Sequence, residues 1–156
     1  MALIPVLIGV NGICSGEHFV LIEGLPAAVG RSSSCEVCLQ RAPRFLGLSD
    51  EQRARLLDFN VISRRHLTVT VNGSIATLEN HSASGTWCND ARFDKTKQVD
   101  LAVNRVSLRL GPVETFELML LDQAGLDQLQ SRTAAIQLTT TRLSKDDGQP
   151  TAPVTK

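Results

Sequence analysis

The chain has 156 residues, enough for one domain with a full hydrophobic core but not comfortably for two. Its hydrophobic fraction of 42% and charged fraction of 21% argue against wholesale disorder, a fibrous repeat or a membrane protein. The 16 basic residues balance the 16 acidic ones and aromatic residues make up only 4%, so nucleic acid and anionic membranes are not expected as partners.

Short segments in which apolar and polar side chains alternate predict a fold built of β-strands. Residues 1–10 are apolar but too short, and lack the preceding basic residues, for a signal peptide, so they are predicted as a strand. Asn72-Gly73 predicts a tight hairpin turn, because both central residues of a type I′ turn need a positive φ. The clearest alternating segments are 19–22, 67–71, 74–78, 106–110 and 116–120. Together they predict an all-β sandwich or barrel.

One segment interrupts the strand pattern, over residues 41–58. There Ser49 is a suitable helix N-cap and Gln52 stands at the capping-box position, so we predict a short helix inserted between two strands. The folded domain is predicted to span residues 1–121. The C-terminal tail, residues 122–156, is predicted to form a weak amphipathic helix and then a flexible, disordered end rich in Thr and Pro.

Four cysteines raise the question of a metal or disulfide site. Cys35 and Cys38 have the CxxC spacing, but a strand predicted over residues 35–40 would place their thiols on opposite faces of the sheet. No second CxxC or HxxxH completes a tetrahedral set. We therefore predict no metal site and no cofactor. Buried free thiols in a reducing compartment, together with the missing targeting signal, favour a cytoplasmic location.

Three clusters at the ends of predicted strands have the chemistry of an anion site. Arginine offers a planar fork of donors that suits a phosphate, while small hydroxyl residues and glycine turns add compact O–H and N–H donors. From residue 31 to residue 65, seven arginines stand against four acidic residues. The clusters are Gly30-Arg31-Ser32-Ser33-Ser34, Ser63-Arg64-Arg65-His66 and Ser82-Ala83-Ser84-Gly85-Thr86-Trp87-Cys88-Asn89.

The order and spacing of these clusters resemble the forkhead-associated (FHA) domain over most of residues 1–121. The resemblance implies an FHA-like β-sandwich of about eleven strands, whose apical loops bind phosphothreonine in a partner protein. It implies a phosphothreonine-dependent protein–protein interaction module, an adaptor in Ser/Thr kinase signalling, with no catalysis of its own. The implied partner is a phosphothreonine-containing protein, either a Ser/Thr kinase or its substrate.

The resemblance also assigns phosphopeptide contacts to particular residues. Arg31 matches the family arginine that contacts the phosphopeptide, Ser63 matches the serine that bonds the phosphate, and Arg64 matches a polar or basic position that reaches it. Ser84 stands where the family usually has an asparagine that holds the peptide backbone, and Ala83 stands where a Thr or Ser hydroxyl is common. Phosphate capture is therefore expected to be intact, whereas capture of the peptide backbone is open.

The same matches imply that four further residues brace the loops. These residues are Gly30, His66, Gly85 and Asn89.

The inserted segment departs from the family pattern. It places Arg31 and Ser63 32 positions apart, farther than in typical members. The arginines of this segment could extend the anion site or simply cover a sheet edge. They are Arg41, Arg44, Arg53 and Arg55.

Other functions stay open at this point. The small side chains at Ala83 and Ser84 favour a degenerate FHA-like scaffold that binds partners independently of phosphate. A Ser63–His66 nucleophile and base is the weaker idea, because no carboxylate stands nearby in sequence to orient the imidazole. Phosphorylation of the C-terminal tail could drive self-association through the same loops. The tail threonines are Thr133, Thr139, Thr140, Thr141, Thr151 and Thr155.

Overall fold

Eleven strands in two sheets form the described part of the protein, which confirms the predicted all-β sandwich of about eleven strands. The computed structural model describes residues 3–103 and 105–131. The strands are β1 (Ile4–Asn11), β2 (His18–Val20), β3 (Ala27–Gly30), β4 (Val37–Cys38), β5 (Leu67–Asn72), β6 (Ile75–Asn80), β7 (Thr86–Cys88), β8 (Ala91–Phe93), β9 (Thr96–Asp100), β10 (Val106–Leu110) and β11 (Glu114–Leu121).

The two sheets enclose one large hydrophobic core. The first sheet has the order β2-β1-β11-β10-β7-β8 and the second has the order β4-β3-β5-β6-β9. Strand β10 shows how the sequence produces this arrangement: Val106, Leu108 and Leu110 are buried, whereas Ser107 and Arg109 between them are half-buried. Because successive side chains of a strand point to opposite faces, this alternation places one face of β10 in the core.

The hairpin between β5 and β6 forms as expected, but its turn lies one residue later than predicted. Asn72 pairs with Ile75 in the ladder, so the two loop residues are Gly73 and Ser74. Gly73 has φ 62°, while Asn72 stays extended as the last residue of β5. A glycine at the first central position is the signature of a type II′ turn, which needs a positive φ at that position alone.

The inserted segment holds several short helices rather than the single helix predicted up to residue 58. The predicted capping box is present: the Ser49 Oγ accepts from the Gln52 backbone N–H at 3.1 Å, and the Gln52 Oε1 accepts from the Ser49 N–H at 2.9 Å. The rings of Phe45 and Phe59 lie 5.1 Å apart and anchor the segment to the core. The helices are a 3-10 helix (Leu39–Arg41), α1 (Pro43–Leu46), α2 (Asp50–Ala54) and α3 (Leu57–Asn60).

The prediction that Cys35 and Cys38 lie on opposite faces of a strand is wrong. Only Val37–Cys38 is strand, and Cys35 precedes it in a turn, so period-two alternation does not apply between the two cysteines. Both are buried in one small cluster with Ala28. All four cysteines are buried free thiols. Within residues 3–103 and 105–131, no group of His, Cys, Asp or Glu is arranged to hold a metal ion.

The chain leaves the sandwich after β11 and forms a helix over residues 123–131, where Leu126 is buried. The part of the tail predicted to be disordered, with the threonines considered for self-association, lies outside the described residues. In the described ranges no helix is long and apolar enough to span a membrane.

Candidate functional site

The three predicted clusters meet at one end of the second sheet. β3 ends at Gly30 and pairs antiparallel with β5, where Val29 lies opposite Leu67. Leu67 in turn pairs with Asn80 at the end of β6. The first loop (31–36), the second loop (62–66) and the third loop (81–85) therefore lie side by side. The sheet register brings together residues that are far apart in sequence.

The backbones of the first and second loops approach each other closely at Gly30. The backbone N–H of Arg31 donates to the Ser63 carbonyl at 3.3 Å, and that of Ser32 donates to the Arg64 carbonyl at 2.9 Å. A Cβ added to Gly30 would overlap the carbonyl oxygen of Arg64. A glycine is thus required at this position by the contact between two backbones, not by an unusual φ.

Two arginines bring positive charge to this end of the molecule. Arg31 is half-buried, and its Nε–H donates to the Ile62 carbonyl, which holds the side chain against the second loop. Neither terminal nitrogen of Arg31 is hydrogen-bonded to another described residue. Arg64 is exposed and forms no ion pair with a carboxylate in the described ranges. Both cations are therefore available to an anion from solution.

A chain of three serine hydroxyls joins the second loop to the third. The Ser63 hydroxyl donates to the Ser82 Oγ at 2.7 Å, and the Oγ atoms of Ser82 and Ser84 lie 2.8 Å apart. Ser82 is buried, whereas Ser63 and Ser84 are half-buried. Ser82 was not singled out from the sequence, although it opens the third cluster. It connects the two serines that the sequence assigned to the site.

The imidazole of His66 connects the second loop to the third through two hydrogen bonds. Its Nδ1 accepts from the Ser63 backbone N–H at 3.0 Å, and its Nε2 lies 2.9 Å from the Gly85 carbonyl oxygen. This pattern requires a neutral imidazole with the proton on Nε2. The side chain is fully buried, and burial lowers the pKa of His66, so the neutral form is favoured.

The same geometry argues against a Ser63–His66 catalytic pair. The hydroxyl of Ser63 donates to Ser82, and the Nδ1 of His66 is occupied by the backbone N–H of Ser63. A general base must reach the proton that it removes. The imidazole here holds the backbone of Ser63 rather than activating its hydroxyl.

Asn80 and Arg92 fix the third loop, and sequence reasoning missed both. The Asn80 Nδ2 donates to the Ser82 carbonyl at 2.8 Å, and its Oδ1 accepts from the Thr86 hydroxyl at 2.9 Å. The Nε of Arg92 donates to the Ser84 carbonyl at 3.2 Å. Asn80 is a polar residue shortly after the strand predicted over 74–78, which is a usable signal. No sequence signal marks Arg92, because its position depends on the β7–β8 hairpin.

Asn89, which was predicted to brace loops, lies away from the three apical loops. It occupies the turn after β7 with φ 50°, in the left-handed region. Its backbone N–H donates to the Ser107 carbonyl at 2.8 Å, and its Oδ1 accepts from the Ser107 N–H at 2.9 Å. Asn89 therefore fastens the β7–β8 turn to β10.

The arginines of the inserted segment contact backbone carbonyls, an aromatic ring and a carboxylate of the protein itself. Arg41 lies closest to the site: its Nη2 donates to the Cys35 carbonyl at 2.7 Å, which braces the first loop. Arg44 donates to the Gly12 carbonyl, Arg53 lies over the Phe45 ring, and Arg55 pairs with Glu51. Of the four, Arg41 alone contacts a loop of the candidate site.

The sequence profile of the FHA domain family matches residues 28–111. The fold is similar to the FHA domain of an Arabidopsis thaliana hypothetical protein (19% identity, TM-score 0.57, 78% of this chain and 88% of that chain). It is also similar to the FHA domain of the CT664 protein of Chlamydia trachomatis (18% identity, TM-score 0.51, 76% and 97%). A third similar structure comes from a study of phosphothreonine-dependent FHA domain interactions (24% identity, TM-score 0.50, 77% and 97%). A comparison with curated proteins gives no match.

Proposed function

The chain belongs to the FHA domain family, and on this premise we propose that it is a phosphothreonine-dependent interaction module that binds a phosphorylated partner protein. The observation that carries the proposal is the convergence of Arg31, Ser63 and Arg64, with two guanidinium groups that no described carboxylate neutralises. The family membership supports a binding role over an enzymatic one. The partner would be a Ser/Thr kinase or its substrate, which makes the protein an adaptor in kinase signalling.

The charges and donors of the site suit a phosphate monoester. A phosphothreonine carries about −1.5 to −2 charges at neutral pH, and each hydrogen bond to a charged group contributes roughly 1.5–3 kcal/mol. Three such bonds would supply much of the roughly 8 kcal/mol that corresponds to micromolar binding. Arg31 offers a planar fork for two phosphate oxygens, and Ser63 and Arg64 complete the set.

The serine chain explains how Ser63 can serve a phosphate while remaining bonded to the third loop. A phosphate oxygen only accepts, so the hydroxyl proton of Ser63 would turn from Ser82 toward the phosphate. Ser82 would then donate to Ser63, and Ser84 to Ser82, because a hydroxyl both donates and accepts. Three donors aligned in this way polarise one another toward the anion. Ser84 would thus act through the chain and not as a substitute for the amide of an asparagine.

The phosphate-independent scaffold is the second candidate, favoured by one specific feature of the third loop. The Ser84 hydroxyl is already 2.8 Å from Ser82, and Ala83 next to it is exposed without a polar side chain. The third loop therefore offers fewer side-chain groups to a peptide backbone than a loop with an asparagine at this position.

The test is titration of degenerate phosphothreonine peptides, with unphosphorylated and phosphoserine peptides as controls. We expect micromolar binding that is selective for phosphothreonine and weaker by roughly ten- to hundred-fold in Arg31→Ala. Arg105→Ala is the matched control, since it removes the same charge from an exposed position just before β10, at the opposite end of the strand from the site. Equal or absent binding across the three peptide sets would overturn the proposal and favour the scaffold.

A further inference from the structure

The first sheet carries a strip of apolar side chains on its outer face, the face turned away from the core. On β1, Leu7 lies in the core and pairs with Leu118, so the side chain of Val6, one residue earlier, points outward. Met119 pairs with Val6 and points the same way. The outer strip consists of Ile4, Val6, Ile8 and Val10 from β1, with Met119 and Leu121 from β11.

The C-terminal helix (residues 123–131) covers part of the outer strip. Of the buried valines and leucines in the described ranges, only Val6 and Leu126 lie outside the two apolar clusters. Val6 is fully buried although it points away from the core. Gly125 lies against the strip as well, since a Cβ added to it would stand 3.5 Å from the Leu121 Cδ2. The C-terminal helix therefore lies on the outer face and buries Val6 there.

The C-terminal helix starts at the end of the outer strip that is remote from the phosphate site. β11 follows the turn at Gly111, where an added Cβ would lie 3.6 Å from Ile62 of the second loop. The strand then runs away from that loop to Leu121, which pairs with Ile4. The Oδ1 of Asp122 accepts from the backbone N–H three residues later at 2.7 Å, which caps the helix. The chain thus turns back over the sheet directly after β11.

The exposure of the side chains along the strip shows how far the described residues cover it. Val6 is buried and Ile8 is half-buried, whereas Val10, the next outward side chain of β1, is 43% exposed. Val20, which pairs with Val6 from β2, is 47% exposed, so the helix does not extend sideways over β2. The cover therefore follows β1, and the uncovered part of the strip is the part nearest to the phosphate site.

The sequence after residue 131 continues the stripe of the C-terminal helix that faces the sheet. Residues three, four and seven positions apart share one face of an α-helix. Leu126 is buried and Leu129 is half-buried. The next positions on the same face are Thr133 and Ile136. The stripe therefore extends in sequence to residue 136, beyond the described residues.

The lengths of the helix and the strand agree along the strip. Ile136 is ten residues after Leu126, which is about 15 Å at the 1.5 Å rise of an α-helix. Val10 is four residues after Val6, which is about 13 Å at the 3.3 Å rise of a strand. In a continued helix, Ile136 would therefore come to the level of the exposed Val10.

The strip also holds a carboxylate without a described partner. Glu117 pairs with Ile8 in the middle of the strip and is half-buried, and its side chain forms no hydrogen bond or ion pair with another described residue. Arg132 would lie about 9 Å beyond Leu126 in a continued helix. Ile8 lies about 7 Å beyond Val6 along the strand. The two opposite charges would thus stand at nearly the same level of the strip.

We propose that residues 132–136 of this chain occupy the uncovered part of the outer strip as a continuation of the C-terminal helix, with Ile136 packed on Val10. Burial of these two side chains and the charge complementarity of Arg132 and Glu117 favour this occupant. The rest of the chain then begins at the end of the sandwich that carries the phosphate site, and not at the end where β11 finishes. The inference does not depend on the proposed function.

The experiment measures amide hydrogen exchange in the full chain and in a synthetic peptide of residues 122–138, which lacks the sheet. Ile136→Asp places a charge in the proposed contact. Leu138→Asp is the matched control, because it makes the same change two residues later, at a position that an α-helix turns away from this face. Both substitutions lie outside the sandwich, so the fold is expected to stay intact, and thermal unfolding checks this.

We expect the amides of residues 132–136 to exchange about ten-fold more slowly in the protein than in the peptide. Ile136→Asp should remove this protection, and Leu138→Asp should keep it. Exchange at the rate of the peptide in the natural protein overturns the inference. Protection that survives Ile136→Asp, or that both substitutions remove, overturns it as well.

Cysteine pairs test where the segment lies. Val10→Cys combined with Ile136→Cys should form a disulfide within one chain under mild oxidation. Val103→Cys with Ile136→Cys is the control pair, because Val103 is 71% exposed just before β10, away from the strip. Absence of the first disulfide, or equal formation of both, contradicts the proposed packing on Val10. A disulfide between two chains would identify a second copy as the occupant and overturn the inference.

Discussion

The hydroxyl of Ser63 donates a 2.7 Å hydrogen bond to the hydroxyl of Ser82, and this bond joins the second loop to the third across 19 positions of sequence. Ser82 is buried and also lies 2.8 Å from the Ser84 hydroxyl. The three hydroxyls form one short chain with Ser63 at the end that is nearest to Arg31 in the fold. Affinity for a phosphopeptide should therefore depend on Ser82 and Ser84 as well as on Ser63, the proposed phosphate contact.

Removal of hydroxyls from this chain should weaken phosphopeptide binding in a graded way. Ser63→Ala removes a donor to the anion and should lower affinity by about ten-fold or more, since a bond to a charged group contributes roughly 1.5–3 kcal/mol. Ser82→Ala removes only the support and should cost less. Isothermal titration with one phosphothreonine peptide measures both. Ser74→Ala, in the β5–β6 turn at the other end of the sheet, is the control. A loss for Ser82→Ala larger than that for Ser63→Ala would contradict the chain.

Arg92 should act as a positioning residue for the third loop. Its Nε donates to the Ser84 carbonyl at 3.2 Å, and its guanidinium pairs with Asp94 at 2.8 Å. Arg92→Ala should lower phosphopeptide affinity by about three- to ten-fold, in line with the loss of roughly one hydrogen bond. It should also speed amide hydrogen exchange at Gly85. Arg92→Lys should restore only part of both, and the exposed Lys95→Ala should change neither. Unchanged exchange at Gly85 would remove Arg92 from the loop's support.

Because of His66, the free energy of unfolding should depend on pH below pH 6.5, the ordinary pKa of a histidine. Burial lowers the pKa of His66 in the folded protein, so between pH 6.5 and that lower value the unfolded chain binds more protons than the folded one. Stability contributed by His66 is thus complete above pH 6.5 and is lost as pH falls.

The His66 prediction is tested by urea unfolding of the natural protein and His66→Asn from pH 8 to pH 5. At pH 7 the variant should be less stable by about 1–3 kcal/mol, because the bonds to Ser63 and Gly85 are lost. The gap between the two proteins should narrow below pH 6.5. Other titrating groups, Glu114 among them, are common to both proteins and largely cancel in the difference. A gap that stays constant with pH would disprove the assignment of a neutral His66.

Gly30 and Gly47 offer a matched pair of glycine-to-alanine substitutions. At Gly30 the new methyl group would overlap the Arg64 carbonyl, so Gly30→Ala should destabilise the fold by about 1–3 kcal/mol or more and disturb the first two loops. Gly47 has φ −79°, and the nearest atom to an added Cβ lies 3.5 Å away. Gly47→Ala should be neutral or stabilising by about 0.4–1 kcal/mol. Thermal unfolding measures both, and equal destabilisation would contradict the close approach at Gly30.

The strands and the start of the inserted helix could be predicted from sequence because their signals are local. Alternation with period two defined β10, with the same bounds as predicted, and the capping box placed the start of α2 at Ser49. The errors fall where a tertiary contact overrides local preference. A strand was predicted over residues 35–40. In the structure the thiol of Cys35 donates to the Arg64 carbonyl, and only Val37–Cys38 pairs with β3.

The sequence by itself determined the all-β fold class and the order of the three clusters, because alternation and turn residues are local signals. The resemblance to the FHA family that these clusters carry made Arg31, Ser63 and Arg64 the candidate phosphate contacts. Only the tertiary structure decided which groups support them: the hydrogen bond from Ser63 to Ser82, and the hydrogen bond from Arg92 to the third loop. These contacts join loops that are distant along the chain. They depend on sheet register, which leaves no periodic or local pattern in the sequence.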